Sequence, residues 1–276
     1  MFRVFSIIIF LLIVQTSLAQ YNFVEQQESK KTSFSNRTWL VGAKIRSDGL
    51  GVHIDITSGR KYRSAILYQF ELGYYKHNAQ IKQHSPYAGS SDMQFKPYFF
   101  GKQNNLFAAH FNIGQKILIA EKAKKNGLRL FYHYSGGFSL GILKPYMLTV
   151  IDTNSLSYNP VEQTYTFSET INVAYNSNET YYLNYIHYNQ FGQTFEAIVG
   201  GAGFRKGWNL KFRPGLHIKT GLSFDWSKNE GLIKALEVGF SCDVYFSKVP
   251  IMLVNNKSVF PSVYLGFQIG RKFKGK

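Results

Sequence analysis

His133 and Ser135 stand two residues apart in the stretch "FYHYSGGFSL". In an extended chain, side chains at i and i+2 share a face, so an imidazole and a hydroxyl lie side by side. Nucleophilic catalysis uses that pair: the hydroxyl attacks, the imidazole takes its proton, and a third group orients the imidazole. Asp225, which shares a face with His217 in "LHIKTGLSFD", is the candidate acid. The motif is only two residues, and nothing nearby signals an oxyanion hole. His133, Ser135 and Asp225 are therefore weak catalytic candidates. A packed interior of paired polar groups is the expected alternative, and no enzyme is assigned.

Other chemistry is thinner still. His53, His110, His133 and His217 lie on different predicted strands, without the local spacing of a metal motif such as H-x3-H. No metal and no cofactor is expected. "GGAGFRKGW", residues 200–208, has glycines but lacks the strand–helix setting of a phosphate loop; it reads as a compact loop or short helix at one end of the fold. Cys242, the single cysteine, sits on an apolar strand face and behaves as a small hydrophobe.

The elements that must position these residues are strands. "ALEVGFSCDVYF", residues 235–246, alternates without a slip: Leu236, Val238, Phe240, Cys242, Val244 and Phe246 on one face, Glu237, Gly239, Ser241, Asp243 and Tyr245 on the other. Eight such segments are predicted, at about 38–47, 51–58, 64–76, 105–119, 128–143, 214–227, 235–246 and 258–273. Asp48-Gly49 marks a hairpin turn. The connections after strands two, four and six are short. Those after three, five and seven are longer, with inserts at about 77–104 and 144–209. Membrane barrels place short turns at the periplasmic end and long loops outside.

Which face looks inward decides the class of protein. The polar face carries Gly42, Gly51, Gly73, Gly114, Gly137, Gly141, Gly221, Gly239, Gly266 and Gly270. A face open to water gains nothing from glycine, whereas the narrow interior of an eight-stranded barrel must mix small residues with large ones. The same face carries Lys44, Arg46, Arg129 and Lys219 against Asp55, Glu71, Asp225, Glu237 and Asp243, a near balance that permits pairing. The other face is apolar: Val52, Ile54, Ile56; Ile66, Tyr68, Phe70, Leu72; Leu216, Ile218; Val263, Leu265, Phe267, Ile269. The polar face therefore points in and the apolar face out, toward lipid. Trp39, Tyr74, Trp226 and Phe246 fall near strand ends, where aromatic girdles lie. The predicted fold is an all-β, eight-stranded antiparallel outer-membrane barrel with long extracellular loops.

The ends and the charge fit that reading. Residues 1–19 form a secretory signal, with Arg3, an apolar run from Ile7 to Val14, and Ser17-Leu18-Ala19 at the cleavage site. Residues 20–37 read as a flexible polar lead, and 38–273 as one barrel domain. The formal charge of +16 admits nucleic acid as a partner, but export argues against it. Lipid and lipopolysaccharide phosphates are the expected anions: Arg205, Lys206, Lys211 and Arg213 would lie outside, and the clusters at 60–63, 122–125 and 271–276 at the periplasmic end. The Tyr- and Asn-rich stretch "YNSNETYYLNYIHYNQF" suits adaptable contacts with a protein partner.

The segments "FGKQNNLFAAHFNIGQK", "YHYSGGFSLGILKPY", "GLSFDW", "ALEVGFSCDVYF" and "YLGFQIGRKF" resemble a group of uncharacterised small outer-membrane β-barrels. They occur in Gram-negative bacteria that carry type 9 secretion systems. The resemblance spans roughly Trp39 to Phe273. It implies the barrel fold, the outer membrane and a place beside the type 9 translocon, and it transfers no catalytic residue. Arg271, at an outward position, and the three residues after Phe273 depart from the usual barrel terminus. The expected function is structural or interactive, exerted through the extracellular loops, with a lipid- or lipopolysaccharide-modifying barrel enzyme and a small-solute channel as the alternatives.

Overall fold

The computed structural model describes residues 37–61, 63–84, 96–121, 127–152, 155–159, 164–174, 187–188, 194–195, 198–227, 231–253 and 255–273. The expected signal sequence, 1–19, and most of the expected polar lead lie outside these residues. So do most of the Tyr- and Asn-rich stretch and the basic residues 122–125, 274 and 276.

Eight long strands form the barrel: β1 (Arg37–Arg46), β2 (Gly49–Lys61), β3 (Ser64–Tyr75), β4 (Asn104–Ala120), β5 (Arg129–Pro145), β6 (Lys211–Asp225), β7 (Leu232–Tyr245) and β8 (Val259–Phe273). Each pairs antiparallel with its sequence neighbours, and β1 closes on β8. The closing register sets Gly42 opposite Gln268 and Lys44 opposite Gly266. The first turn is Ser47-Asp48 rather than Asp48-Gly49, because Gly49 already pairs with Arg46. Among the described residues no helix is long and apolar enough to cross a membrane.

Burial follows the alternation. In β8, Val259, Val263, Leu265, Phe267 and Ile269 are exposed, while Phe260, Ser262, Tyr264 and Gln268 are buried. In β6, Leu216 and Ile218 are exposed while His217 and Lys219 are buried. An apolar belt exposed on every side and a charged interior invert the ordinary soluble arrangement. At about 3.3 Å per residue, the 17-residue β4 and β5 outrun an apolar band of about 25 Å even when tilted.

The inward glycines make room. A Cβ on Gly42 would lie 2.6 Å from the His53 ring, and one on Gly239 would lie 2.5 Å from the Tyr264 hydroxyl. Large polar side chains therefore cross the lumen only where the facing strand has none. The inward face also holds apolar layers that alternation of charge did not foretell. At the short-turn end, Leu40, Leu67, Phe131 and Ile233 point inward and are buried. At the long-loop end, Tyr75, Leu106, Leu143, Tyr245 and Phe260 meet Val249, Ile251 and Met252 of the seventh connection in one buried cluster. The polar lumen is sealed between them.

The long inserts have structure of their own. Lys82–Gln83 pairs with Tyr98–Phe99. Met147–Ile151 is the centre of a three-stranded sheet, flanked by Thr170–Ala174 and Ile198–Gly201. Tyr98, Leu148, Val150 and Ile198 pack together beneath it.

Candidate functional site

The lumen holds two connected ionic clusters. In the first, the Glu237 carboxylate is the hub. Lys219 Nζ donates to its Oε1 at 2.7 Å, and His133 Nε2 lies 2.8 Å from the same atom. Tyr264 donates to Oε1 at 3.0 Å, and Gln268 donates to Oε2. Asp55 accepts from Gln69 at 2.6 Å and from Gln268 at 3.0 Å. His53 accepts from Gln268 at 2.8 Å. Strands β2, β3, β5, β6, β7 and β8 all contribute inward side chains, so the network cross-links the barrel wall.

The second cluster lies nearer the long loops. Lys44 Nζ donates to Glu71 at 2.6 Å. The Arg46 guanidinium reaches Asp48 at 3.0 Å, Asp243 at 3.2 Å and Glu71 at 3.5 Å, and it stacks over Tyr75 at 4.5 Å. Tyr75 donates to Asp243. His110 Nε2 stands 2.8 Å from Asp243, and its ring lies 4.3 Å from that of His217. Toward the short turns, Arg129 approaches Asp225 at 3.5 Å, and Asp225 also accepts from Ser227. A charge left unpaired in such a place costs several kcal/mol, which explains why nearly every carboxylate here meets a cation or a donor.

The geometry does not bring the catalytic candidates together. His133 faces Glu237 and Tyr264. Ser135 Oγ has no hydrogen-bond partner among the described residues, so the two do not bond to each other. Asp225 belongs to the Arg129 pair. All three are buried in the lumen rather than set in a groove.

Several lumen residues escaped the sequence reading. Lys116 is buried inward with its ammonium 5.0 Å from the Phe131 ring centre, which makes the charge balance five against five. Tyr75, Tyr264 and Gln268 act as donors to the carboxylates. Their positions in the alternation carried that signal, but a tyrosine fits a lipid girdle equally well by type.

Two further lysines are buried at the mouth. Lys102 Nζ donates to Tyr74 and Gln80 at 3.4 Å each and lies over the rings of Phe99 at 4.9 Å and Tyr146 at 5.3 Å. Burial, with Lys76 nearby, pushes its ammonium down to about 8. Lys144 donates to the Phe204 carbonyl and sits over the Trp208 ring at 4.2 Å. Of residues 200–208, the first two end the strand Ile198–Gly201 and 202–208 form a compact loop, with glycines in the left-handed region at Gly203 and Gly207, strapped to the end of β5. Arg205, Lys206 and Lys211 are exposed beside Trp208 and Phe212.

No protein-family model matches the chain, and no curated protein matches it. Solved structures do. Neisserial surface protein A is 10% identical with a TM-score of 0.38, over 88% of this chain and 100% of that one. Ail, the attachment invasion locus protein of Yersinia pestis, in complex with the heparin analogue sucrose octasulfate, is 7% identical with a TM-score of 0.36, over 86% and 98%. The N-terminal β-barrel domain of Pseudomonas aeruginosa OprF is 8% identical with a TM-score of 0.33, over 87% and 98%. Eight antiparallel strands close on themselves, with an apolar belt outside and paired charges within. Only a barrel closed in this way can cross lipid on strands, and this chain is an outer-membrane β-barrel.

Proposed function

We propose that this protein is an interaction component of the cell envelope that works from its extracellular face, with the barrel as its anchor. One observation carries this reading. The lumen is filled by bonded charges and sealed by apolar side chains at both ends, so the chain's elaboration lies in the loops. The fifth connection, residues 146–210, far exceeds what two neighbouring strands need. Its sheet is fastened to the mouth by Leu148, Val150 and Ile198 packing on Tyr98. A loop excursion held on a rigid scaffold is the usual seat of binding.

The specific form proposed is an accessory subunit of an envelope or secretion assembly, the type 9 system being the candidate that the sequence resemblance suggests. The exposed Arg205, Lys206 and Lys211 beside Trp208 and Phe212 suit the phosphates of lipopolysaccharide at the same level. The test is in-cell cross-linking and gentle detergent extraction of the tagged protein, compared with a variant in which residues 155–195 are replaced by a short Gly-Ser linker. A stoichiometric partner that the variant loses is the expected result. Full-length protein recovered without a partner, or a partner retained by the variant, overturns the reading.

A further inference from the structure

Glu71, His110 and His217 come from β3, β4 and β6 and meet in the upper lumen. One ligand atom from each lies within 4.8 Å of the others, and all three residues are buried. What distinguishes the trio is the state of its free atoms. His110 Nε2 is 2.8 Å from the Asp243 carboxylate, so that nitrogen carries the proton and Nδ1 is left as a lone pair. His217 Nδ1 is 3.0 Å from Asn112 Oδ1. The Asn112 amide nitrogen is committed to Gln69, so Oδ1 is the acceptor, Nδ1 carries the proton, and Nε2 is the lone pair. His110 Nδ1, His217 Nε2 and Glu71 Oε1 all lack a hydrogen-bond partner among the described residues. Two buried imidazole acceptors are thus left without a donor, and Glu71 Oε1 meets only the Arg46 guanidinium, in an ion pair at 3.5 Å. Acceptors buried unsatisfied are costly, and a cation between them removes the cost.

The surroundings match metal ligation. A metal-bound imidazole ordinarily donates its other N–H to a fixed acceptor; His217 donates to Asn112 Oδ1, and His110 Nε2 lies 3.2 Å from the Tyr75 hydroxyl and 2.8 Å from the Asp243 carboxylate. Two imidazoles and one carboxylate are a zinc donor set that leaves one position open. A second trio, His53, Asp55 and Glu237, is equally compact. Its carboxylates accept from Gln69, Gln268, Lys219 and Tyr264, and it has one unpartnered imidazole nitrogen, His53 Nδ1, where the first trio has two.

We propose that Glu71, His110 and His217 bind one divalent transition-metal ion of the zinc class, pinning β3, β4 and β6 together inside the barrel. Local sequence spacing could not reveal such a site, because each ligand comes from a different strand.

The test uses the full chain without a histidine tag, refolded from denaturant into detergent with excess Zn2+ or Co2+ and then desalted. Elemental analysis is expected to find about one ion per folded chain, and the Co2+ form to show visible absorption of a low-coordinate site. His217→Gln should lower retained metal at least tenfold, whereas His53→Gln and His133→Gln keep it. The unheated gel shift of folded barrels confirms folding in each case. Should His217→Gln not fold, X-ray absorption of the wild-type Zn2+ form decides, with scattering from two imidazoles expected. Folded wild type that retains less than a tenth of an equivalent overturns the proposal. So does metal unaffected by His217→Gln, or a zinc shell without imidazole.

Discussion

Replacing Glu237 with glutamine withdraws the carboxylate on which Lys219, His133, Tyr264 and Gln268 converge. The shape is kept, while the charge and one of the two acceptor oxygens are lost. At 2.7 Å, the Lys219–Glu237 attraction is about 6 kcal/mol at an effective dielectric of about 20. Lys219 retains Gln69 Oε1 at 3.3 Å and the Tyr264 ring at 4.8 Å, which offset part of that loss. The expected net cost of Glu237→Gln is about 3–5 kcal/mol, the range for a buried pair that loses one partner. Adding Lys219→Met removes the stranded charge, so the double variant should be more stable than the single by about 2 kcal/mol or more. The assay is equilibrium unfolding in guanidinium with vesicle-bound protein, read by the gel shift and by fluorescence of the three tryptophans. A single variant that costs under about 1 kcal/mol, or a double variant whose costs simply add, refutes the view that the lumen is a desolvated ionic network.

Four shorter predictions concern the wall and the mouth. Ile218→Lys, at the middle of β6 on the lipid side, should destabilise the barrel in bilayers by about 2–4 kcal/mol, measured by the same unfolding assay. Gly137→Ala would place a Cβ 1.9 Å from the Phe111 carbonyl and should cost about 1–3 kcal/mol. Gly231→Ala, with nothing within 4 Å, should change stability by under about 0.5 kcal/mol. Lys102 titrates at about 8 when folded against 10.5 when free. Between those values the unfolded chain holds a proton that the folded chain has released, so stability rises with pH through that window. Melting curves at pH 7.5 and 10 should show this rise, and Lys102→Met should diminish it.

How much of this was legible in the sequence differs by element. All eight barrel strands are plain from alternation, because one face must be apolar throughout and the other not, and a slip of one residue would invert every side chain. Glycines such as Gly42 and Gly239 identified the crowded face because each faces a large polar side chain. The pairing inside was not legible. Glu237 meets Lys219 although the β6–β7 register sets Ser223 opposite Glu237 and Ser241 opposite Lys219, and Arg46 meets Asp243 across 197 residues of chain. The ends of β5 and β6 were placed two or three residues short, since Lys144 and Lys211 look like loop residues by type. Lys144 is buried only because Phe204 and Trp208 fold back over it. The three-stranded sheet around Met147–Ile151 was missed for a similar reason: its strands are five residues or fewer, too short for a period to show.

The orientation of the strand faces is what everything else rests on, and Cys242 offers a direct probe of it. It is the single cysteine, half-buried and on the outward face of β7, between inward Ser241 and Asp243. A nitroxide attached there in lipid vesicles should be relaxed strongly by oxygen, which dissolves in lipid, and weakly by a water-soluble nickel chelate. A label at Ser241→Cys in a Cys242→Ser background should be shielded from both. The reverse pattern, with position 241 open to a relaxant and position 242 packed away from lipid, would contradict the barrel described above.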